Sequence, residues 1–230
     1  MMRALNNLLK IMILVALIIP VTVSGVNAIP VTGIEFQVDN LISDPVAYVP
    51  ESEQNAASPA EITSSAALQK FVDKVTDGQT GAIRGIYAEN IMEFPVVQQP
   101  SSQPGYVSEQ QDVVTEFAMA KKYGVTGILA HNFLAGKAFF DLQLNDLIQV
   151  VYGDGSTQTY QIVDVLHYQA LSPDSPTSSF TDLDNGETLS ATQLFKKVYA
   201  GNGHLTLQTC IQVGSEDSWG RLFLIAEPVV

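Results

Sequence analysis

The 230-residue sequence holds a single cysteine, Cys210, and three histidines. Without a second cysteine the chain has no internal disulfide, so its fold must rest on packing and hydrogen bonding. Basic side chains are scarce, with 11 Lys and Arg against 24 Asp and Glu and a net charge of -13. That balance argues against a nucleic-acid binder or a protein that coats anionic lipid, since both need a positive field. A long apolar run is also missing. The one candidate, residues 11–23, contains Pro20 and falls short of the roughly 20 apolar residues that a spanning helix needs.

What the N-terminus does have is the layout of an export signal. Arg3 and Lys10 precede the apolar run, and Val26-Asn27-Ala28 supplies small residues for cleavage after Ala28; an uncleaved anchor is the alternative. The protein is therefore expected to be exported, to the cell surface or beyond it. Removal of residues 1–28 leaves about 200, enough for one domain with a real core. Residues 29–65 are rich in Ser, Pro, Ala, Asn and Glu without an apolar period, which reads as a tether. A short helix is expected at about 66–75, where AALQKFVDKV has helical spacing before a glycine. The tether with its helix thus covers 29–78 and the main domain 79–230.

That domain reads as mainly β. AIRGIYA, MEFPVVQ, TGILAH, LIQVVYG, TYQIVDVLHY, GHLTLQTCI and WGRLFLIAE are short, rich in β-branched and aromatic residues, and bounded by Gly, Pro, Asn or Asp. Asp154-Gly155 marks a tight hairpin with positive φ angles. Helices are expected where Ser108 with Gln111 and, separately, Ser190 open capping patterns that end at Gly124 and Gly201. About seven to eight strands with two or three short helices point to a closed or nearly closed barrel, since closure removes exposed edges. LSPDSPTSSFTDLDNGETL is long for a compact connection and is expected to cover a functional site.

The chemistry centres on the thiol. In an exported protein a lone cysteine is either buried and inert or kept for its reactivity. Alternation along the strand sets His204, Thr206, Gln208 and Cys210 on one face, with Cys210 near the strand end where a substrate can reach it. A thiol becomes a useful nucleophile beside an imidazole or guanidinium that favours its thiolate. His204 is six residues away along one extended strand, roughly 20 Å at the strand rise, beyond hydrogen-bond reach. His167 sits inside a long strand between Leu166 and Tyr168. His131 ends TGILAH before a loop that begins with Asn132, so its ring can lie at a barrel rim, and it is the best partner. Arg221 follows Cys210 by eleven residues. Antiparallel pairing of the two strands would return it beside the thiol, either to bind a developing oxyanion or to pair with a carboxylate.

LTLQTC resembles the TLxTC signature of sortases, the cysteine transpeptidases of bacterial surfaces. GILAHNFLAGKAFFDLQLNDLIQVVYGDGSTQTYQIVDV resembles that family's histidine segment and the strands that follow, WGRLFLIA its arginine strand, and FPVVQQ an early strand. Ala130 departs from the glycine common before the family histidine. The resemblance spans about residues 82–228 and keeps the order His, Cys, Arg. It implies that Cys210 attacks the Thr–Gly peptide of an LPxTG-like sorting signal, that His131 protonates the departing amine, and that Arg221 steadies substrate and oxyanion.

An amine on the cell wall or a pilin would then resolve the thioester. Partners would be surface proteins with C-terminal sorting signals, and no nucleic acid. Thr209 and Thr206 would shape the substrate site, with Asn132 beside the histidine and Trp219 as a groove wall. No cofactor is required, although some sortases bind calcium, and Asp174, Asp182, Asp184 and Glu187 offer oxygens in the long loop. A hydrolytic cysteine peptidase on the same scaffold and a non-catalytic peptide-binding barrel are the other readings of these residues.

Overall fold

The computed structural model describes residues 65–175 and 177–229. The expected export signal and nearly all of the expected tether lie outside the described residues. The chain opens with α1 (Ala66–Val75), the helix read from the sequence. The hairpin β1 (Ile83–Ala88) and β2 (Met92–Gln98) follows, then β3 (Val114–Glu116), the single turn α2 (Ala118–Lys121) and β4 (Thr126–Leu129). A 3-10 helix (Ala135–Asp141) leads to β5 (Leu147–Tyr152) and the long β6 (Thr157–Ala170). The final part comprises β7 (Phe180–Asp182), β8 (Thr188–Leu189), α3 (Ala191–Tyr199), β9 (Leu205–Val213) and β10 (Glu216–Pro228).

Hydrogen bonding orders the strands β10-β9-β4-β3-β2-β1-β5-β6, and pairing of β10 with β6 closes the ring. The result is the expected closed barrel. Along β6, residues 157–161 pair with β5, and β7 then takes 168–170. The β7–β8 pair therefore extends the sheet beyond the barrel.

Alternation divides the apolar residues into two layers. Ile86, Phe94, Ile128, Leu207, Leu222 and Leu224 fill the barrel, while Leu129, Phe223, Tyr168 and Cys210 belong to a second cluster outside it. Helix α3 supplies Leu194, Val198 and Tyr199 to that outer layer. Edge-to-face contacts of Tyr199 with Phe117 (5.1 Å) and Phe223 (6.2 Å) seat it there, each adding about 1 kcal/mol beyond area burial. It starts at Ser190 as expected, fixed by a capping box in which Ser190 Oγ accepts from Gln193 N and Ser190 N donates to Gln193 Oε1. On the opposite side, Leu68, Phe71 and Val72 of α1 pack on Tyr87 and Val151. Gly85 lets Phe71 approach, because a Cβ there would lie 2.6 Å from Phe71 Cε1.

Three expectations change. The helix expected from Ser108 to Gly124 is instead a loop, the strand β3 and one helical turn. Asp112 adopts φ 56°, which a helix cannot continue through, and Ser108 N donates to Thr115 Oγ1 rather than being capped. Val114, Thr115 and Glu116 are wholly buried, since the barrel needs a strand between β2 and β4. At Asp154-Gly155 only Gly155 has positive φ (84°), and Tyr152 O accepts from Gly155 N. This is a type I turn closed by a left-handed glycine rather than a primed two-residue turn. Finally, most of GSEDSWG is strand, with a bulge between Glu216 and Gly220.

Candidate active site

Strand register brings Cys210 and Arg221 together and carries the segment that ends in His131 alongside them. Cys210 and Arg221 are direct partners in the antiparallel β9–β10 pair, so their side chains leave the same face with Cβ atoms about 5 Å apart. β4 runs parallel to β9 with Ile128 opposite Leu207 and Leu129 opposite Gln208. The match persists past the strand end, where Ala130 N donates to Gln208 O (3.2 Å) and Ala130 O accepts from Thr209 Oγ1 (3.0 Å). Extending the register two residues beyond the Leu129–Gln208 pair sets His131 level with Cys210. Leu129 belongs to the outer layer and Ala130 to the interior, so alternation returns His131 to the outer side. Continuation of the register past the end of β4 therefore sets the backbones of His131, Cys210 and Arg221 in one row, about 4.8 Å per step.

The row is dry. His131, Cys210 and Arg221 are exposed by only 3%, 5% and 3%. This corrects the expectation of a reachable thiol at a strand end and of a histidine at an open rim. β9 continues to Val213, and the outer layer that includes Val107 and Phe180 packs on the face that carries Cys210. The long β6–β9 connection does cover the site, since Phe180 of β7 brings its ring centroid within 5.9 Å of Arg221 Cζ.

Each group is fixed from behind. Arg221 Nη1 donates to Ser218 O (2.9 Å) and Gly220 O (2.8 Å), using the bulge before it as a cradle. Two amides, of Leu134 and Gly136, donate to His131 O and fold the following residues into a tight turn. His131 Nε2 is buried and makes no hydrogen bond, and the ring stacks on Phe133 at 5.1 Å. Burial pushes the imidazole below its ordinary pKa, opposed by the charge of Glu109 and the Val107 carbonyl. A neutral imidazole with an unsatisfied nitrogen can accept a proton from a neighbouring thiol.

The remaining expected residues lie in other roles. Thr209 points away from the Cys210 face and braces the His131 turn through Ala130 O. Thr206 is fully buried and donates to Val198 O (2.6 Å) under α3. His204 Nε2 meets the same carbonyl, and Gln208 Oε1 accepts from Tyr199 OH. The polar face of β9 is therefore occupied by α3 up to Cys210. Asn132 Nδ2 donates to Asp217 O (3.1 Å), joining the histidine turn to the β9–β10 hairpin, and Trp219 is half-buried in the bulge. His167 lies opposite Leu222 on β10, outside the row.

Neither a protein-family model nor a curated protein sequence matches the chain. Solved structures do. Sortase C-1 of Actinomyces oris aligns with a TM-score of 0.44 and 14% identity, over 77% of this chain and 83% of that one. Listeria monocytogenes sortase A gives 0.43 and 10% over 67% and 89%, and the Clostridium perfringens sortase D5 transpeptidase 0.40 and 16% over 72% and 89%. In fold, the chain is similar to sortases. The likeness concerns the path of the chain, and the chemistry rests on this chain's own residues.

Several residues of the site escape a sequence reading. Phe133 and Gly136 carry a faint signal, an aromatic and a glycine just after the candidate histidine. Phe180 and Glu109 carry none, because only the tertiary fold brings their segments to the row. The proposed calcium ligands are dispersed in function: Asp182 is buried, 3.7 Å from Lys197 Nζ, and accepts from Asp184 N, while Asp184 and Glu187 are exposed. Among the described residues no group of His, Cys, Asp and Glu has the spacing to hold a metal ion. A cavity of about 480 Å³ between the β1–β2 hairpin and Asp112 lies across the barrel from the row.

Proposed function

We propose that this protein is an exported cysteine transpeptidase of the sortase type, acting on LPxTG-like sorting signals of surface proteins. The observations that support the proposal are the direct pairing of Cys210 with Arg221 on β9 and β10 and the parallel β4–β9 register, whose extension by two residues carries His131 alongside Cys210. In the first half-reaction Cys210 Sγ attacks the scissile carbonyl and its proton passes to His131. The guanidinium of Arg221, already held in plane by two carbonyls, donates to the oxygen as it gains charge. His131 then protonates the departing amine, the C–N bond breaks, and a thioester remains on Cys210. In the second half an amine attacks the thioester, its surplus proton returns through His131 to the sulfur, and a new amide leaves. The dryness of the row favours the amine over water.

The test is incubation with a panel of LPxTG-like peptides and an amine nucleophile, followed by mass spectrometry. The expected result is an acyl adduct on Cys210 and an aminolysis product, both absent in Cys210→Ala. Equal behaviour of the two proteins across the panel would overturn the proposal, and products formed only with water would favour a peptidase.

The 5% exposure of Cys210 also supports a second reading, a barrel that binds peptide with a spectator thiol. The two differ in how peptide changes alkylation. A working nucleophile needs its cover to move when peptide enters, so the rate of iodoacetamide labelling should respond to peptide; a spectator thiol labels slowly with or without it.

A further inference from the structure

The ring that touches His131 is an unusual one. Phe133 is 52% exposed, yet it lies nearly parallel to the imidazole, with an interplanar angle of 25° and centroids 5.1 Å apart. The imidazole beneath it is only 3% exposed. Phe133 is not a core residue that happens to graze a histidine; one of its faces meets solvent and the other meets the imidazole. The turn holds it there, because His131 O accepts from the amides of Leu134 and Gly136 and Asn132 is tied to Asp217. Three consecutive residues are thus locked with the ring of Phe133 folded back over that of His131.

Such a plate has two physical consequences. The ring torsion of a histidine is broad and two-fold, and Nε2 makes no hydrogen bond that would set it. The Val107 carbonyl holds the ring at one edge, and the flat contact with Phe133 adds a second constraint on its plane. An imidazolium formed in a dry pocket is also costly, and an aromatic face is one of the few groups that stabilises a cation without bringing in water. Burial already disfavours the charged ring, so a stabiliser matters most during proton transfer. The titratable or charged groups around it are Glu109, Cys210, Arg221 and Asp217, on the connection before β3, on β9, and on β10 with its bulge.

We infer that Phe133 is a positioning residue for His131, a stacked shield that fixes the imidazole plane and keeps water from its outer face. The inference deepens the transpeptidase reading and rests on it for its kinetic consequence, though not for its structural one. With F133A, kcat should fall about tenfold with KM within about twofold, and the share of hydrolysis over aminolysis should rise. F133W should restore both, being flat and apolar, whereas F133L should restore dryness without orientation and recover only the partition.

The deciding measurement needs no substrate. The three histidines are followed by NMR through a pH titration of the free protein, with His131 assigned from H131Q. Burial is the largest influence on the ring, so its exposure in F133A should outweigh the lost contact between cation and aromatic face: the ring resonances of His131 should shift and its midpoint move toward the ordinary histidine value, with His167 and His204 left in place and the change reversed by F133W. Unfolding midpoints of F133A and wild type establish that the fold is kept. An unchanged His131 titration in folded F133A would overturn the inference whatever the kinetics. A shifted titration in a protein that acylates no peptide would leave it standing and remove the transpeptidase reading instead.

Discussion

Gly136 is the narrowest point of the scaffold behind the histidine, and its replacement by alanine separates two opposing effects. A Cβ at this position would overlap Thr209 Oγ1 and lie 2.8 Å from His131 O and 3.0 Å from Ala130 O. The backbone of Gly136 is not among the positive-φ positions, so alanine is conformationally allowed and would by itself stabilise by about 0.4–1 kcal/mol through the unfolded chain. The overlap acts the other way. A rotamer change of Thr209 relieves the hydroxyl but abandons its bond to Ala130 O, worth about 1 kcal/mol. The two carbonyls are backbone and cannot swing aside. Overpacking of this kind costs about 1–3 kcal/mol, so sterics win and G136A should be less stable by about 1–2 kcal/mol. In urea unfolding the midpoint should fall with the slope unchanged, and the melting temperature should drop by a few degrees, about 2–4 °C per kcal/mol for a domain of this size. Because Thr209 is one of the colliding groups, T209A and G136A should combine non-additively, with a coupling of about 0.5 kcal/mol or more. A G136A protein as stable as wild type, or more stable, would show that the turn behind His131 is looser than described.

Other predictions concern charge, caps and pH. R221K should retain the fold but lose acylation about 10²–10³-fold, as for removal of one oxyanion donor, because an ammonium cannot both hold the Ser218 and Gly220 carbonyls in plane and reach the substrate; acylation rates near wild type would refute the guanidinium's role. S190A should cost about 1 kcal/mol, since it removes half of the capping box that starts α3, read from the urea midpoint. The lowered pKa of His131 means that near and below pH 6.5 the unfolded chain binds this proton more readily than the folded one. The corresponding stability is complete above about pH 6.5 and is lost as pH falls through the folded-state value. The unfolding free energy of wild type should therefore fall relative to that of H131Q as the pH is lowered from 7.5 to 5; parallel curves would contradict the burial of the ring.

Much of the barrel was legible because its strands declare themselves. Seven Val-, Ile-, Leu- and aromatic-rich runs recur as β1, β2, β4, β5, β6, β9 and β10. β3, β7 and β8 were not legible, being three, three and two residues long. β3 was further disguised by a Ser108–Gln111 pattern that imitates a capping box, and only the left-handed Asp112 and the vacancy between β2 and β4 decide against a helix. The pairing of Cys210 with Arg221 followed from a hairpin, a local feature. Its partner His131 depended on a parallel β4–β9 register across distant segments, which spacing alone does not fix. What the sequence hid most completely was cover. The thiol expected within reach at a strand end is covered, and α3 occupies Thr206 and Gln208 on the same strand face through Val198 O and Tyr199 OH. Burial of a strand face depends on which other segments fold over it, and no pattern within the strand records that.

Extension of the β4–β9 register sets residue 131 beside residue 210 on the outer face of the barrel. Neighbouring strands in register hold their Cα atoms within the 4.4–6.8 Å span that a disulfide requires, so H131C should join Cys210 under mild oxidation. The expected product is a monomer that loses two hydrogens, seen by intact mass, and whose peptic map links the segments around 131 and 210. An H131C protein that stays reduced while folded, or that crosslinks only between molecules, would contradict that placement.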